Sequence, residues 1–197
     1  MSEVRSTFRL RPGDAAPFFV LPDASDTPVS LAQVKDSAGL LVVFACNHCP
    51  FVVHLATALG SLAAELKKKE VGTVAITSND LSAYPQDGPR YMPDFARRHG
   101  WEFPYLVDES QETAVAYGAA CTPDFFLFNA AGALHYAGQF DSTRPGSREA
   151  PTGADLRDAA RRMLAGEAPP EKTYPSSGCN IKWRPDKRPD WWNLGHR

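Results

Sequence analysis

Apolar residues follow two different periods along the chain, and the change between them sets out the fold. Leu40-Leu41-Val42-Val43-Phe44-Ala45 is an unbroken apolar run without alternation. A strand covered on both faces needs that pattern, so the run predicts a strand in the middle of a sheet with helices on either side. Leu55, Leu59, Leu62 and Leu66 then recur at intervals of 4, 3 and 4. This is one stripe of a helix spanning about Pro50 to Lys69, closed by Lys67-Lys68-Lys69, where cations suit the negative end of the helix dipole.

The later segments extend the alternation of strand and helix. Val71 to Thr77 reads as a second buried strand, and a polar, proline-containing connection runs from Asn79 to Pro89. A helix at Met92 to His99, a strand at Phe103 to Val107 and a helical stretch at Gln111 to Tyr117 follow. Phe125 to Phe128 and Leu134 to Ala137 flank Asn129-Ala130-Ala131-Gly132, which predicts a hairpin. A last helix starts near Thr152, read as its cap, and stops at Gly166; Leu156, Ala159, Ala160, Met163 and Leu164 form its apolar face. Upstream, Phe18 to Leu21 between Pro17 and Pro22 reads as an edge strand. Parallel crossovers followed by a hairpin give an α/β fold with a mixed sheet covered on both faces.

The chain has 197 residues, of which 43% are hydrophobic, enough for one sizeable core. The expected organisation is one domain over 1–168 and a tail over 169–197 that packs back on it. Trp183, Trp191 and Trp192 lie in that tail, and indoles are costly to leave in water. Twenty-one basic residues against 23 acidic ones leave a net charge of -2, so neither nucleic acid nor an anionic membrane is an expected partner. The N-terminal residues carry no secretory pattern and no long apolar span occurs, which gives a cytoplasmic protein as the expectation. Cysteines at 46, 49, 121 and 179 are too few and too scattered for a disulfide scaffold.

Cys46-Asn47-His48-Cys49-Pro50 directly follows the first buried strand and opens the long helix. There, converging backbone N–H groups stabilise a thiolate, so Cys46 is expected to be the anionic nucleophile and Cys49 the resolving thiol. Pro50 fits the first turn because its missing N–H has no helical acceptor there. His48 is expected to favour the Cys46 thiolate by a hydrogen bond or partial positive charge. Cys121 is expected either at the dithiol rim or as a small buried packing residue. Cys179 is expected beside Cys46, relaying electrons or closing a resting disulfide.

Strand, Cys-x-x-Cys, helix, and later Cys121-Thr122-Pro123-Asp124 before a hairpin resemble the thioredoxin-like superfamily. The resemblance covers about Leu10 to Gly166. It lies near the TlpA-type thiol-disulfide oxidoreductases and the alkyl hydroperoxide reductase/thiol-specific antioxidant family. It implies a thioredoxin-like three-layer sandwich with a central mixed β-sheet flanked by helices, plus an N-terminal extension and a Trp-rich C-terminal tail. It also implies that Thr122 and a cis Pro123 face the dithiol and orient an incoming extended chain. The implied activity is thiol-disulfide exchange with protein or small-molecule disulfides, reset by a thioredoxin-like protein or glutathione, with no organic cofactor. Two departures stand out: Ala45 occupies the place of a tryptophan, and Leu40 that of a buried acid. The proton acceptor for Cys49 is therefore sought in Asp124, Asp80 or water.

Three alternatives compete. A thiol peroxidase of peroxiredoxin type needs Pro-x-x-x-Thr/Ser-x-x-Cys; the matching positions are Gly39 and Val43, or Val42 and Cys46, and neither alignment supplies it. A metal site could draw on Cys46, His48 and Cys49 with His54 or Cys179, but no second short-spaced pair completes it, and no metal is expected. A non-enzymatic interaction module would use the tryptophan-rich tail and leaves the adjacent thiols unexplained.

Overall fold

The computed structural model describes residues 3–192; His196 falls outside them. In chain order the elements are β1 (Glu3–Arg5), β2 (Val20–Pro22), β3 (Pro28–Ser30), α1 (Leu31–Val34), β4 (Gly39–Phe44), α2 (Pro50–Lys67), β5 (Val71–Thr77), α3 (Met92–His99), β6 (Tyr105–Val107), α4 (Glu112–Tyr117), β7 (Cys121–Thr122), β8 (Asp124–Asn129), β9 (Leu134–Gly138), α5 (Ala154–Leu164) and β10 (Ser177–Asn180). A 3₁₀ turn at Pro85–Asp87 interrupts the connection from β5 to α3.

The unbroken apolar run is the axis of the molecule. β4 pairs antiparallel with β8 from Gly39 opposite Asn129 to Phe44 opposite Asp124, and β8 pairs antiparallel with β9. On its other side, the Ala45 N–H donates to the Ile76 carbonyl at 2.9 Å, setting β5 alongside, and β5 pairs parallel with β6. The central sheet is therefore mixed. Because successive side chains point to opposite faces, the run divides itself between two cores. Leu41, Val43 and Ala45 face α2, α3 and α5, with Leu59, Phe95 and Leu156 packed against them. Leu40, Val42 and Phe44 face the other way, onto Ala114 and Tyr117 of α4, Leu21 of β2 and Val34 of α1. These layers make the thioredoxin-like α/β sandwich.

Several local expectations shift. The upstream strand is β2, paired with β3, while Phe18 remains 74% exposed. The last helix is capped by Gly153 at φ 70°, not by Thr152, whose backbone N–H instead donates to Asp141 at 2.7 Å. Only a residue tolerant of a left-handed backbone fits that cap, and Phe140 packs against the space a side chain would need.

Three short strands form a second sheet in the order β1-β10-β7, all antiparallel. This sheet joins β1 and β10 beside the β7–β8 junction. Trp183 and Trp191 meet edge to face with centroids 6.0 Å apart, within the core on the α4 side of the central sheet.

Candidate active site

The turn after β4 carries Cys46 and Cys49 into contact with Thr122. Cys46 Sγ lies 3.5 Å from the Thr122 hydroxyl, and the Cys49 thiol donates to the Thr122 carbonyl at 3.0 Å. The Thr122–Pro123 peptide bond is cis. Cys46 and Cys49 are 1% and 0% exposed.

Helix α2 begins at Pro50 with Cys49 as its N-cap residue. The expected beneficiary of the helix end was Cys46; the structure moves that position to Cys49, one turn later in the chain. The charge distribution follows. Hydrogen bonds from Cys179, and then from Cys46, converge on Cys49 and draw its thiol pKa below the usual range despite burial. Cys46 is pushed up, first by its hydrogen bond to Cys49, then by burial and by the negative charge of Asp87. Cys179 also rises, through its hydrogen bond to Cys49 and through burial. Cys49 is thus the sulfur flanked by two others, and the helix start and the cysteine cluster favour negative charge there more than at Cys46.

Asp87 is the site residue that sequence reasoning missed. It is fully buried at the end of the Pro85–Asp87 turn. One carboxylate oxygen accepts the backbone N–H groups of Asn47 and His48 at 2.9 and 3.2 Å, and the other accepts from Asn79 Nδ2 at 2.8 Å and meets His48 Nδ1 at 2.7 Å. Three groups of the two middle residues of the dithiol turn are thus held on one carboxylate, which Asn79 braces from behind. A Cys46 sulfur, a His48 ring nitrogen and an Asp87 oxygen all lie within 4.8 Å of one another. The His48 ring also stacks on Tyr84, with centroids 5.4 Å apart and planes 11° apart. The only hint in the sequence was the unusual length of the Asn79 to Pro89 connection; nothing in its pattern singled out Asp87.

The acids named from sequence lie elsewhere. Asp80 bonds Ser82 at the surface. Asp124 is buried under the Ser6 hydroxyl at 2.6 Å, and burial raises its carboxyl to about 6. Cys121 is fully buried, with its sulfur 3.5 Å from the Pro123 carbonyl, and burial followed by Asp124 pushes its thiol up. It takes the packing position, not the rim.

Cys179 meets Cys49, in the same buried cluster as Cys46. It arrives on β10, where it pairs with Thr122 while Asn180 pairs with Cys121. The edge beside Thr122–Pro123, expected to receive an incoming extended chain, is therefore already filled by the protein's own tail. His54, offered as a further metal ligand, meets the Thr143 hydroxyl at 2.9 Å instead. Among the described residues the converging donors are Cys46, His48 and Asp87, and both Asp87 oxygens are engaged by protein groups.

The family model of the AhpC/TSA family matches residues 12–137. The chain belongs to the AhpC/TSA family. It is 44% identical to an uncharacterized conserved protein from Geobacillus kaustophilus, covering 94% of this chain and 98% of that one with a TM-score of 0.89. It is 45% identical to the hypothetical protein SMc02350 from Sinorhizobium meliloti 1021, covering 92% and 99% with a TM-score of 0.88. A curated Mycobacterium tuberculosis relative, named "Putative peroxiredoxin Rv2521", is 29% identical over 113 residues, 57% of this chain and 67% of that protein.

The cytoplasmic expectation is overturned by a further neighbour in this fold. It is described as a secreted Mycobacterium tuberculosis disulfide oxidoreductase homologous to E. coli DsbE, 19% identical over 73% of this chain and 94% of that one, with a TM-score of 0.54. Few cysteines and a polar N-terminus do not separate compartments when the same sheet and helices serve an exported protein. Among the described residues, no helix is long and apolar enough to cross a membrane.

Proposed function

We propose that this member of the AhpC/TSA family is a thiol-disulfide oxidoreductase working through Cys46 and Cys49. The observation that carries this reading is the pair of sulfurs set against one residue, Thr122, with the His48–Asp87 pair beside the first of them. Cys46 attacks a disulfide of a protein or small-molecule partner, forming a mixed disulfide and releasing the first partner thiol. The proton of Cys46 passes to the adjacent His48, which Asp87 orients. Cys49, whose environment favours the thiolate, then attacks Cys46 sulfur and releases the second partner thiol. A thioredoxin-like protein or glutathione returns the Cys46–Cys49 disulfide to the dithiol.

Trapping tests the order of attack. Cys49→Ser is expected to accumulate a mixed disulfide through Cys46 with a disulfide substrate such as oxidised glutathione, and Cys46→Ser is expected not to. Equal trapping by the two variants would defeat the assignment.

The curated relative's name favours a second reading, thiol peroxidase. Here Cys46 or Cys49 would pass through a sulfenic acid on reaction with peroxide. Gly39, Val42 and Val43 are unsuited to polarising a peroxide, so hydrogen peroxide consumption is expected to be much slower than reduction of oxidised glutathione. Faster peroxide turnover would replace the first reading with the second.

A further inference from the structure

We propose that Cys179 is a third member of the redox centre, receiving at Cys49 the disulfide first formed between Cys46 and Cys49. This inference rests on the dithiol reading above and adds to it a further reacting residue.

The three sulfurs are arranged for that exchange. Cys46, Cys49 and Cys179 belong to one buried core on the α2 side of the central sheet, and Cys179 is 3% exposed. The Cys49 thiol meets the Thr122 carbonyl at 3.0 Å, Cys46 Sγ lies 3.5 Å from the Thr122 hydroxyl, and Cys179 is the strand partner of Thr122, so all three sulfurs gather on this one residue with Cys49 interacting with both others. Attack by Cys179 on Cys49 would therefore expel Cys46, the thiol that meets the partner.

The backbone fixes Cys179 independently of any sulfur chemistry. Cys179 pairs with Thr122 on one side and with Glu3 on the other, so β10 is the middle strand of its sheet. Gly178 permits the approach: a Cβ built there would lie 2.0 Å from the Thr122 carbonyl oxygen and 3.2 Å from Pro123 Cδ. Ser176 anchors the segment by donating its N–H to the Ser6 hydroxyl at 3.0 Å and its hydroxyl to the Gly138 carbonyl at 2.7 Å. Beyond the strand, the Lys182 N–H donates to Asn79 Oδ1 at 2.9 Å, and the Asp80 N–H donates to the Lys182 carbonyl at 2.8 Å. Asn79 in turn holds Asp87, so the strand bearing Cys179 and the turn bearing Cys46 share a support. A cysteine serving only to fill space does not need to be delivered to the reactive sulfur by a strand anchored on both edges.

The step is an exchange and consumes no further oxidant. The Cys179 sulfur attacks the Cys49 sulfur, the bond between Cys49 and Cys179 forms, and the bond between Cys49 and Cys46 breaks with its electron pair leaving on Cys46. Cys179 gives up one proton and Cys46 takes one up. The protein remains oxidised by two electrons, now between Cys49 and Cys179, and the Cys46 thiol is reduced again.

Disulfide mapping of the full chain tests this. In Cys46→Ser protein treated with diamide, a Cys49–Cys179 linked peptide is expected, and wild type given one oxidising equivalent should contain both that linkage and Cys46–Cys49. Gly178→Ala, which pushes β10 away from Thr122, is expected to lower the Cys49–Cys179 yield at least tenfold while Cys46–Cys49 still forms. Absence of the Cys49–Cys179 linkage from both wild type and Cys46→Ser, with Cys46–Cys49 present in Cys179→Ser, overturns the third-cysteine assignment alone. Failure of Cys46–Cys49 to form in Cys179→Ser protein that retains its circular dichroism strikes the dithiol reading instead.

Discussion

Asp87 does two things to the dithiol turn, and they can be separated by substitution. Its carboxylate holds the Asn47 and His48 amides, and its charge is one of the causes that keep Cys46 protonated. Asp87→Asn removes the charge and keeps most of the shape. Cys46 is therefore expected to become more acidic, seen as an alkylation profile displaced to lower pH, while disulfide exchange slows because His48 loses its orienting acid. A purely structural Asp87 would leave the alkylation profile where it is. Asp87→Ala strands several buried donors at once and is expected to cost about 3 kcal/mol in urea unfolding. Asp124 gives a pH signature of its own. Burial raises its folded carboxyl to about 6 against an ordinary 3.8, so the folded state binds the proton more tightly than the unfolded chain. Its contribution to stability is full below pH 3.8 and is lost as pH rises through about 6. The stability of Asp124→Asn minus that of wild type is accordingly expected to rise by up to roughly 3 kcal/mol from pH 4 to pH 7. A flat difference would show that the group titrates alike in both states.

Among the elements, α2 carries the site and is itself positioned by a close approach. Gly60 lies in the middle of this helix, where glycine costs about 1 kcal/mol relative to alanine. The reason it stands there is α3: a Cβ at Gly60 would come within 2.4 Å of the His99 carbonyl oxygen and 2.9 Å of the Gly100 carbonyl oxygen. Gly60→Ala is thus expected to destabilise by about 1–3 kcal/mol, since the gain in helix propensity is outweighed by overpacking against backbone. A higher urea midpoint for the variant would mean that α3 yields easily. Trp101 closes the same contact by donating its indole N–H to the Ala56 carbonyl at 2.8 Å. The register of α2, and with it the place of Cys49 at its start, is held from the far end of the helix as well as from the dithiol turn.

For the molecule as a whole, β1 and β10 cover the end of the sheet where the cysteines lie. β1 pairs with β10, and Ile181, Trp183 and Trp191 continue from there into the core on the α4 side of the sheet. The Arg9 guanidinium lies 5.3 Å from the centre of the Trp191 ring, so the N-terminal extension touches the tail a second time. The β10 segment consequently borders the redox cluster while the tryptophans behind it secure the opposite face. Trp183→Ala is expected to cost about 3 kcal/mol, a fall of roughly 6–12 °C in Tm, and to do so in the same cooperative transition as the rest of the chain. A separate early transition would show the tail unfolding by itself.

β4, α2, β5, the β8–β9 hairpin and the placing of Cys46 and Cys49 between strand and helix are legible in the order of amino acids alone. Those segments are long enough for period 2, period 3.6 or an unbroken apolar run to be visible within a single element. Tertiary structure decided the rest. β1, β7 and β10 are two to four residues long and owe their existence to partners more than fifty residues away, so they leave no local period. Asp87 reaches the dithiol turn from a connection about 40 residues later, and Cys179 reaches Cys49 from the tail. The order of the three sulfurs belongs to the same class: that Cys49 stands between Cys46 and Cys179 is a property of assembled distances that no spacing along the chain encodes.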